Sequence, residues 1–200
     1  MPKSYSQFDY DDLYELGLSV EEKSFVNAFK HSLIEPSELL KLTLARNVRR
    51  KLRSEKAKSE FLISPILAEL EELNPDLFAC FSGYKFNVDI KKGLNGFCDF
   101  VLSFRPHALN IEAPAFLIVE SKNENIEEGI PQCIAEMYAA QIFNDRAGKP
   151  RPIIYGAVTY GQVWKFIRLI KNDAEVDTQI FFLNQLPEIL GIMQYIVDNA

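Results

Sequence analysis

The sequence predicts one α/β domain: a mixed β-sheet flanked by helices, with a helical N-terminal extension over 1–54 and the sheet domain over 55–200. Three observations predict it. Apolar residues recur with helical spacing up to Asn74-Pro75, and beyond that point the period changes to two. The run Ala115 to Lys122, AFLIVESK, is apolar enough on both faces to be a central strand. Strand-like and helix-like stretches then alternate to the end of the chain.

Residues 10–58 read as helical. Ser19 followed by Glu22 suggests a capping box opening SVEEKSFVNAFKHSL. Pro36-Ser37 interrupts the pattern, which resumes with Leu44, Val48 and Leu52 in one apolar stripe. Helix continues through SEFLISPILAELEEL, with Pro65 predicting a kink or restart. Strands are expected over 78–89, 96–104 and 115–122, and a helix over 126–144. Two strands, 151–159 and 162–170, flank the hairpin signal Tyr160-Gly161. A short strand over 178–183 and a helix over 187–197, with proline in its first turn, close the chain.

Composition narrows the function classes. With 48% apolar and 25% charged residues, the chain is an ordinary globular one, neither disordered nor fibrous. No run approaches the ~18 apolar residues of a membrane span, so no membrane partner is expected. The polar, acidic start has no apolar core of a signal peptide. Cys80, Cys98 and Cys133 share no short spacing, which argues against disulfides or a structural zinc. A reduced, cytoplasmic protein is expected. His31 and His107 lie far apart, so any hydrolytic chemistry must run on carboxylates, lysine and a hard metal.

Charge is uneven. The stretch Lys41 to Lys58 holds eight basic residues and one acid, Glu55, a net +7 that leaves −13 on the rest of a chain totalling −6. Such a stripe, with Arg46, Arg50 and Arg53 in it, is either a solvated helix face or a phosphate-backbone contact.

One constellation carries chemistry. Five apolar residues run directly into Glu120-Ser121-Lys122, and period two places Glu120 and Lys122 on one face. Asp99 is embedded in the preceding strand between Cys98 and Phe100. Charges at the ends of buried strands are costly unless they pair or bind something. Two carboxylates on rigid strands suit Mg²⁺, and a lysine beside them can orient water or stabilise a phosphate oxygen. Composition alone predicts about two acid-x-Lys triplets. The chain has three, and only Glu120/Lys122 follows a strand of this kind. The bland alternative is a partly buried Glu–Lys pair at a strand end. Trp164 and Phe166 read as core aromatics and Cys98 as a small buried hydrophobe. Glu124, Glu127 and Glu128, just after Lys122, would repel a phosphodiester unless they point away.

The order of these parts resembles the PD-(D/E)xK nuclease superfamily, of restriction-endonuclease-like fold. The matching parts are Gly96 to Leu102 around Asp99, Phe116 to Lys122, and the helix from Pro131. The nearest flavour is the nuclease domain of type I restriction enzyme R subunits and small stand-alone relatives. The likeness spans roughly residues 55–183, with Cys98 where the family has proline. It implies a Mg²⁺- or Mn²⁺-dependent hydrolase of nucleic acid, DNA before RNA. Asp99 and Glu120 would be metal ligands and Lys122 catalytic. It also implies an accessory acid at Glu60 and a glutamine at Gln132 that aligns the lysine or the phosphate. A homodimer or a larger restriction-type assembly is a further implication. The rival expectations are a catalytically silent module of that fold, binding nucleic acid or a protein, and a structural protein dimerising through its N-terminal helices.

Overall fold

A computed structural model describes residues 3–200. Eight strands form one mixed sheet: β1 (Ser19–Glu22), β2 (Ala79–Lys85), β3 (Phe97–Ser103), β4 (Ala115–Ser121), β5 (Ile154–Thr159), β6 (Val163–Ile170), β7 (Asp173–Val176) and β8 (Phe181–Phe182). Their order is β1-β7-β6-β5-β4-β3-β2, with β8 also paired to β6. The β4–β5 and β1–β7 pairs are parallel and the others antiparallel. The helices are α1 (Tyr10–Glu15), α2 (Glu38–Asn47), α3 (Glu55–Lys58), α4 (Ser64–Leu73), α5 (Ile130–Arg146) and α6 (Leu186–Asn199). Among the described residues, no helix is long and apolar enough to cross a membrane.

The sheet is covered on both faces, which is why all seven residues of β4 are buried. On one face, α2, α4 and α6 supply Leu40, Leu44, Ile66, Leu70, Ile189 and Met193 against Phe100, Val119 and Phe166. Trp164 and Phe166 are fully buried in this layer. On the other face, α5 packs Cys133, Ile134 and Met137 against Val101, Ile118 and Val158.

The expected helix over 10–58 is mostly absent. Only α1, α2 and α3 form, and Ser19–Glu22 is a strand. Gly17, at φ +81°, ends α1, and Ser19 then donates its hydroxyl to Asp173 rather than capping a helix. Pairing with β7 overrides the local helical preference, with Lys23 salt-bridged to Glu175 at 2.5 Å. The N-terminal residues also enter both layers. Tyr5, Phe8 and Leu13 are buried on the α5 side, and Phe25, Val26 and Phe29 on the other. The buried Asp177 accepts the backbone N–H groups of Phe25 and Val26 at 2.8 and 2.7 Å. Residues 5–29 therefore wrap the edge of the sheet rather than forming a helical extension.

The expected stripe through Leu44, Val48 and Leu52 also breaks, because α2 stops at Asn47 and Val48 is exposed. Pro65 explains the next irregularity. It has no N–H for the carbonyl four residues back, that of Phe61, and Ser59–Ile63 opens into a π turn between α3 and α4. Asn47 donates its amide to that carbonyl at 2.8 Å.

Helix α5 is fastened to β4 at its C-terminal end by Asn144, which is fully buried. Its side chain accepts the Ala115 N–H at 2.8 Å and donates to the Ala115 carbonyl at 2.7 Å, acting as one more strand residue. Replacing Asn144 with Leu leaves both backbone groups buried without partners, at about 1–3 kcal/mol each. Urea denaturation of Asn144→Leu should show a loss of at least about 2 kcal/mol; a loss below about 0.5 kcal/mol would mean that water replaces the amide.

Candidate functional site

The ladder between β3 and β4 runs through Leu102↔Leu117, Val101↔Ile118 and Phe100↔Val119 and then stops. At that point the strands part, and the Asp99 carboxylate enters the gap. Its Oδ2 accepts the Ser121 backbone N–H at 2.8 Å. On the other side, β4 stays attached to β5, with Ser121 opposite Thr159 and the Lys122 N–H donating to the Thr159 carbonyl at 2.8 Å. The end of β4 is thus held rigidly while one of its edges opens.

Glu120, Lys122, Gln132 and Glu136 form a chain from this edge into α5. Lys122 Nζ donates to Glu120 Oε1 at 2.5 Å and to Gln132 Oε1 at 3.0 Å. Gln132 Nε2 donates to Glu136 Oε1 at 3.0 Å, which turns the amide oxygen toward the lysine. The second oxygens of Glu120 and Glu136, both Oε2, are buried without a protein partner.

Burial dominates the electrostatics. It raises the affinity of Glu120 for a proton well above the usual carboxylate range, and the nearby Glu136 and Asp99 add to it. Asp99 is raised for the same first reason, against the pull of the Ser121 N–H. Burial pushes Glu136 up to about 8. Burial works against the charge on Lys122, but the adjoining Glu120 carboxylate outweighs it and the ammonium is held more firmly than usual. The group has more carboxylate than cation to balance it.

A cleft of about 460 Å³ opens on Asp99, Glu120, Lys122 and Gln132. Ser4, Tyr5 and Ser6 form one wall and Glu55 another, with Gly96 and Phe97 at the lip. Tyr5 is fixed there by donating its hydroxyl to the Phe86 carbonyl at 2.8 Å. A hollow of about 530 Å³ between 28–34 and α6 is slightly larger. Its polar residues, among them Lys30, His31 and Asp198, include none of the converging buried carboxylates, so the smaller cleft is the better candidate.

The structure therefore brings together Asp99, Glu120, Lys122 and Gln132. It does not bring Glu60 with them. Glu60 is exposed, pairs with Lys56 at 2.9 Å, and is not among the residues lining the cleft. The acid of that helical region in the cleft is Glu55, which a sequence reader could have noticed as the one acid in the basic stretch. Arg46 lies in the last turn of α2, Arg50 stacks 3.8 Å from the centre of the Phe61 ring, and Arg53 is exposed. None of the three lines the cleft. The basic stretch nevertheless ends over the site. Lys58 donates to the Asn123 carbonyl just beyond Lys122. Of the acids after Lys122, Glu127 turns to Lys165 at 3.6 Å, Glu128 accepts from Asn125, and none lines the cleft. Among the described residues, no group of three or more His, Cys, Asp or Glu side chains is arranged to hold a metal ion. Cys98 is fully buried and its thiol lies beside Glu136.

The Glu136 proton gives a signed expectation. The folded chain holds it up to about pH 8, whereas an exposed carboxyl releases it near 4.5. Stability contributed by the neutral form is complete at low pH and is lost as pH rises through that window. Glu136→Gln mimics the neutral form. In metal-free buffer, the fall in unfolding free energy between pH 5 and 8 should become shallower by up to about 1.4 kcal/mol per pH unit. An unaltered slope in chemical denaturation would show that Glu136 is already ionised at neutral pH.

No protein-family model matches this chain, and no curated protein matches it significantly.

Proposed function

We propose that the chain is a Mg²⁺-dependent nuclease of restriction-endonuclease-like fold, hydrolysing phosphodiester bonds, in DNA before RNA. The observation that carries this reading is the meeting of Asp99 and Glu120 at the parted ends of β3 and β4, with one Glu120 oxygen buried and unpartnered. Lys122 stands beside them. The embedded aspartate, the strand ending Glu-Ser-Lys and the helix α5 behind it support the fold assignment.

The donor set fits a hard divalent ion. Two neighbouring carboxylates that resist losing their protons are under-compensated, and a cation relieves both burial and mutual repulsion. Asp99 and Glu120 would hold it. With only two protein carboxylates, the ion would keep several waters, as Mg²⁺ commonly does. When bound, it would supply Lewis-acid neutralisation of charge on the phosphoryl group. The protein's own groups do the rest. Gln132 holds the Lys122 ammonium at the floor of the cleft, where it can orient water or stabilise a developing phosphate charge.

A second reading, a silent module that kept the fold, has one observation in its favour. Lys122 is already engaged by Glu120 and Gln132, as a structural ion pair would be. Lys122→Ala separates the two. On any DNA or RNA substrate that the parent chain cuts with Mg²⁺ or Mn²⁺, it should lower turnover by about 10²- to 10⁴-fold while metal binding by calorimetry persists. Glu120→Gln should lose both. A loss of turnover below roughly threefold removes the lysine from the mechanism. If nothing is cut with either metal and neither ion binds at millimolar concentration, only the non-enzymatic readings remain, the silent module and the structural protein.

The basic stretch yields an independent expectation. Neutralising Arg46, Arg50 and Arg53 together should reduce the salt dependence of binding to duplex DNA, by a slope near 0.9 for each phosphate no longer neutralised. An unchanged slope assigns these side chains to solubility or to an acidic partner.

A further inference from the structure

The end of the sheet that carries the acids also carries a row of aromatic rings. Strand β3 begins at Phe97, β4 ends at Ser121, β5 ends at Thr159 and β6 begins at Val163, all at this end. Strand β8 pairs Phe182 with Val163 and extends the row. Across it lie, in order, Phe97, the acids with Lys122, Tyr160 and Phe182. At about 4.8 Å per strand, β3 to β8 is about 19 Å.

Two of these rings are conspicuously wet. Phe97 is 67% exposed at the lip of the candidate site, and Phe182 is 52% exposed beside a second hollow. That hollow, about 470 Å³, is lined by Tyr160, Gln162, Phe182 and Asn184 together with Val163 and Leu183, and no acid is among them. Lys58 sits 5.5 Å from the centre of the Tyr160 ring, bridging the hollow to the Asn123 carbonyl next to Lys122. Gly161 makes this possible. Its φ is +87°, and a Cβ there would stand 2.6 Å from Leu62 Cβ, so only glycine lets the helix carrying Lys58 come this close.

We propose that this end of the sheet is a track for a single-stranded polynucleotide, with bases stacking on Phe97 on one side of the carboxylates and on Tyr160 and Phe182 on the other. The proposal deepens the nuclease reading and rests on it for the scissile position. Exposed ring faces with the ammonium groups of Lys122 and Lys58 and the amides of Gln162 and Asn184 among them are what a single strand uses, because every base offers a π-face and every linkage a negative charge. A duplex keeps its base faces stacked on one another and has nothing to offer Phe97 or Phe182. Access points the same way. Glu120 is 1% exposed at the floor of a cleft walled by Ser4–Ser6 and Glu55, which a flexible strand follows more readily than a stiff duplex.

The test is fluorescence anisotropy with the full chain in chelator, so that nothing is cut. The probes are labelled oligothymidylate, oligouridylate and a blunt DNA duplex of equal length at one ionic strength. At least one single strand should bind about tenfold or more tightly than the duplex, and the tighter of the two names the sugar. Phe97→Ala and Phe182→Ala should each weaken single-strand binding by about 5- to 150-fold, the worth of one base stack, and Phe97→Tyr should restore it. Both rings are exposed, so melting temperatures should stay within a degree or two of the parent. Equal or tighter duplex binding, single-strand affinity unchanged in both alanine variants, or no binding at all overturns the track. The two readings fail separately. Ring-dependent single-strand binding without any Mg²⁺- or Mn²⁺-dependent cutting sinks the nuclease and leaves the track. Cutting of duplex and single strands alike, indifferent to both rings, does the reverse.

Discussion

The burial of one carboxylate, Glu120, is the constraint on which the rest of the site depends. Strand β4 is apolar and enclosed on both faces, and its sequence carries a charge into that enclosure at the last turn of the pleat. A lone charge there costs several kcal/mol. Lys122 offsets part of that cost at one oxygen. The lysine must then bend back under its own strand, and Gln132 holds it there. Gln132 is in turn oriented by Glu136. Even the start of α5 is dictated by this arrangement. A Cβ on Gly129 would stand 2.6 Å from Val158 Cγ1 and 2.9 Å from Lys122 Cγ, so the helix can begin over the lysine only through glycine. The other Glu120 oxygen is left without a partner, and the parting of β3 from β4 gives it a cleft to face.

The sequence was legible where an element's own residues bury it. Strands β3 to β6 and helices α5 and α6 lie close to their expected bounds, because each carries an apolar face that its period reveals. Strands β1 and β7, both half acidic, were not legible. Strand β7 forms a hairpin with β6 through Lys171-Asn172, with Lys171 at φ +56°, but its two acids hide the alternation. Strand β1 forms by pairing with β7 across the chain, and no local window contains that information. The same limit explains the acids. Asp99 and Glu120 could be read because they interrupt buried strands. The burial of Glu136, one turn after Gln132 on the same face, could not, because a carboxyl on a helix reads as solvent-facing until the helix is packed. Glu60 rested on the resemblance alone; five residues from Glu55, it lies on another side of the helical region and pairs with Lys56, while Glu55 lines the cleft.

The acidic character of the chain weighs less against a polyanionic ligand than the net charge suggests, because the acids are committed locally. Lys165 of β6, only 4% exposed, engages Glu22 and Glu127, and neither acid lines the cleft. Glu175 is consumed by Lys23 and Arg168. Asp177 serves backbone N–H groups. What remains near the opening is a mixture in which Lys58 opposes Glu55, while Lys56 is paired with Glu60. The relevant quantity for an approaching phosphate is this local field, not the formal charge of −6.

The walls of the cleft come from segments far apart in the chain, and this ties the site to the completeness of the fold. Residues 4–6 reach it because Tyr5 is pinned twice, by its hydroxyl on the Phe86 carbonyl and by its N–H on the Asn95 carbonyl. Gly96, at φ +141°, lies with its Cα against the Tyr5 ring, where a Cβ would come within 3.1 Å. Glu55 reaches it because Ser54 caps α3 and Asn47 satisfies the carbonyl that Pro65 leaves free. Only the floor, from β3, β4 and α5, is built from neighbouring elements. A floor of local origin with walls of distant origin divides the dependence: Asp99 and Glu120 owe their positions to the sheet, while the cleft above them is completed by the N-terminal arm and the start of α3.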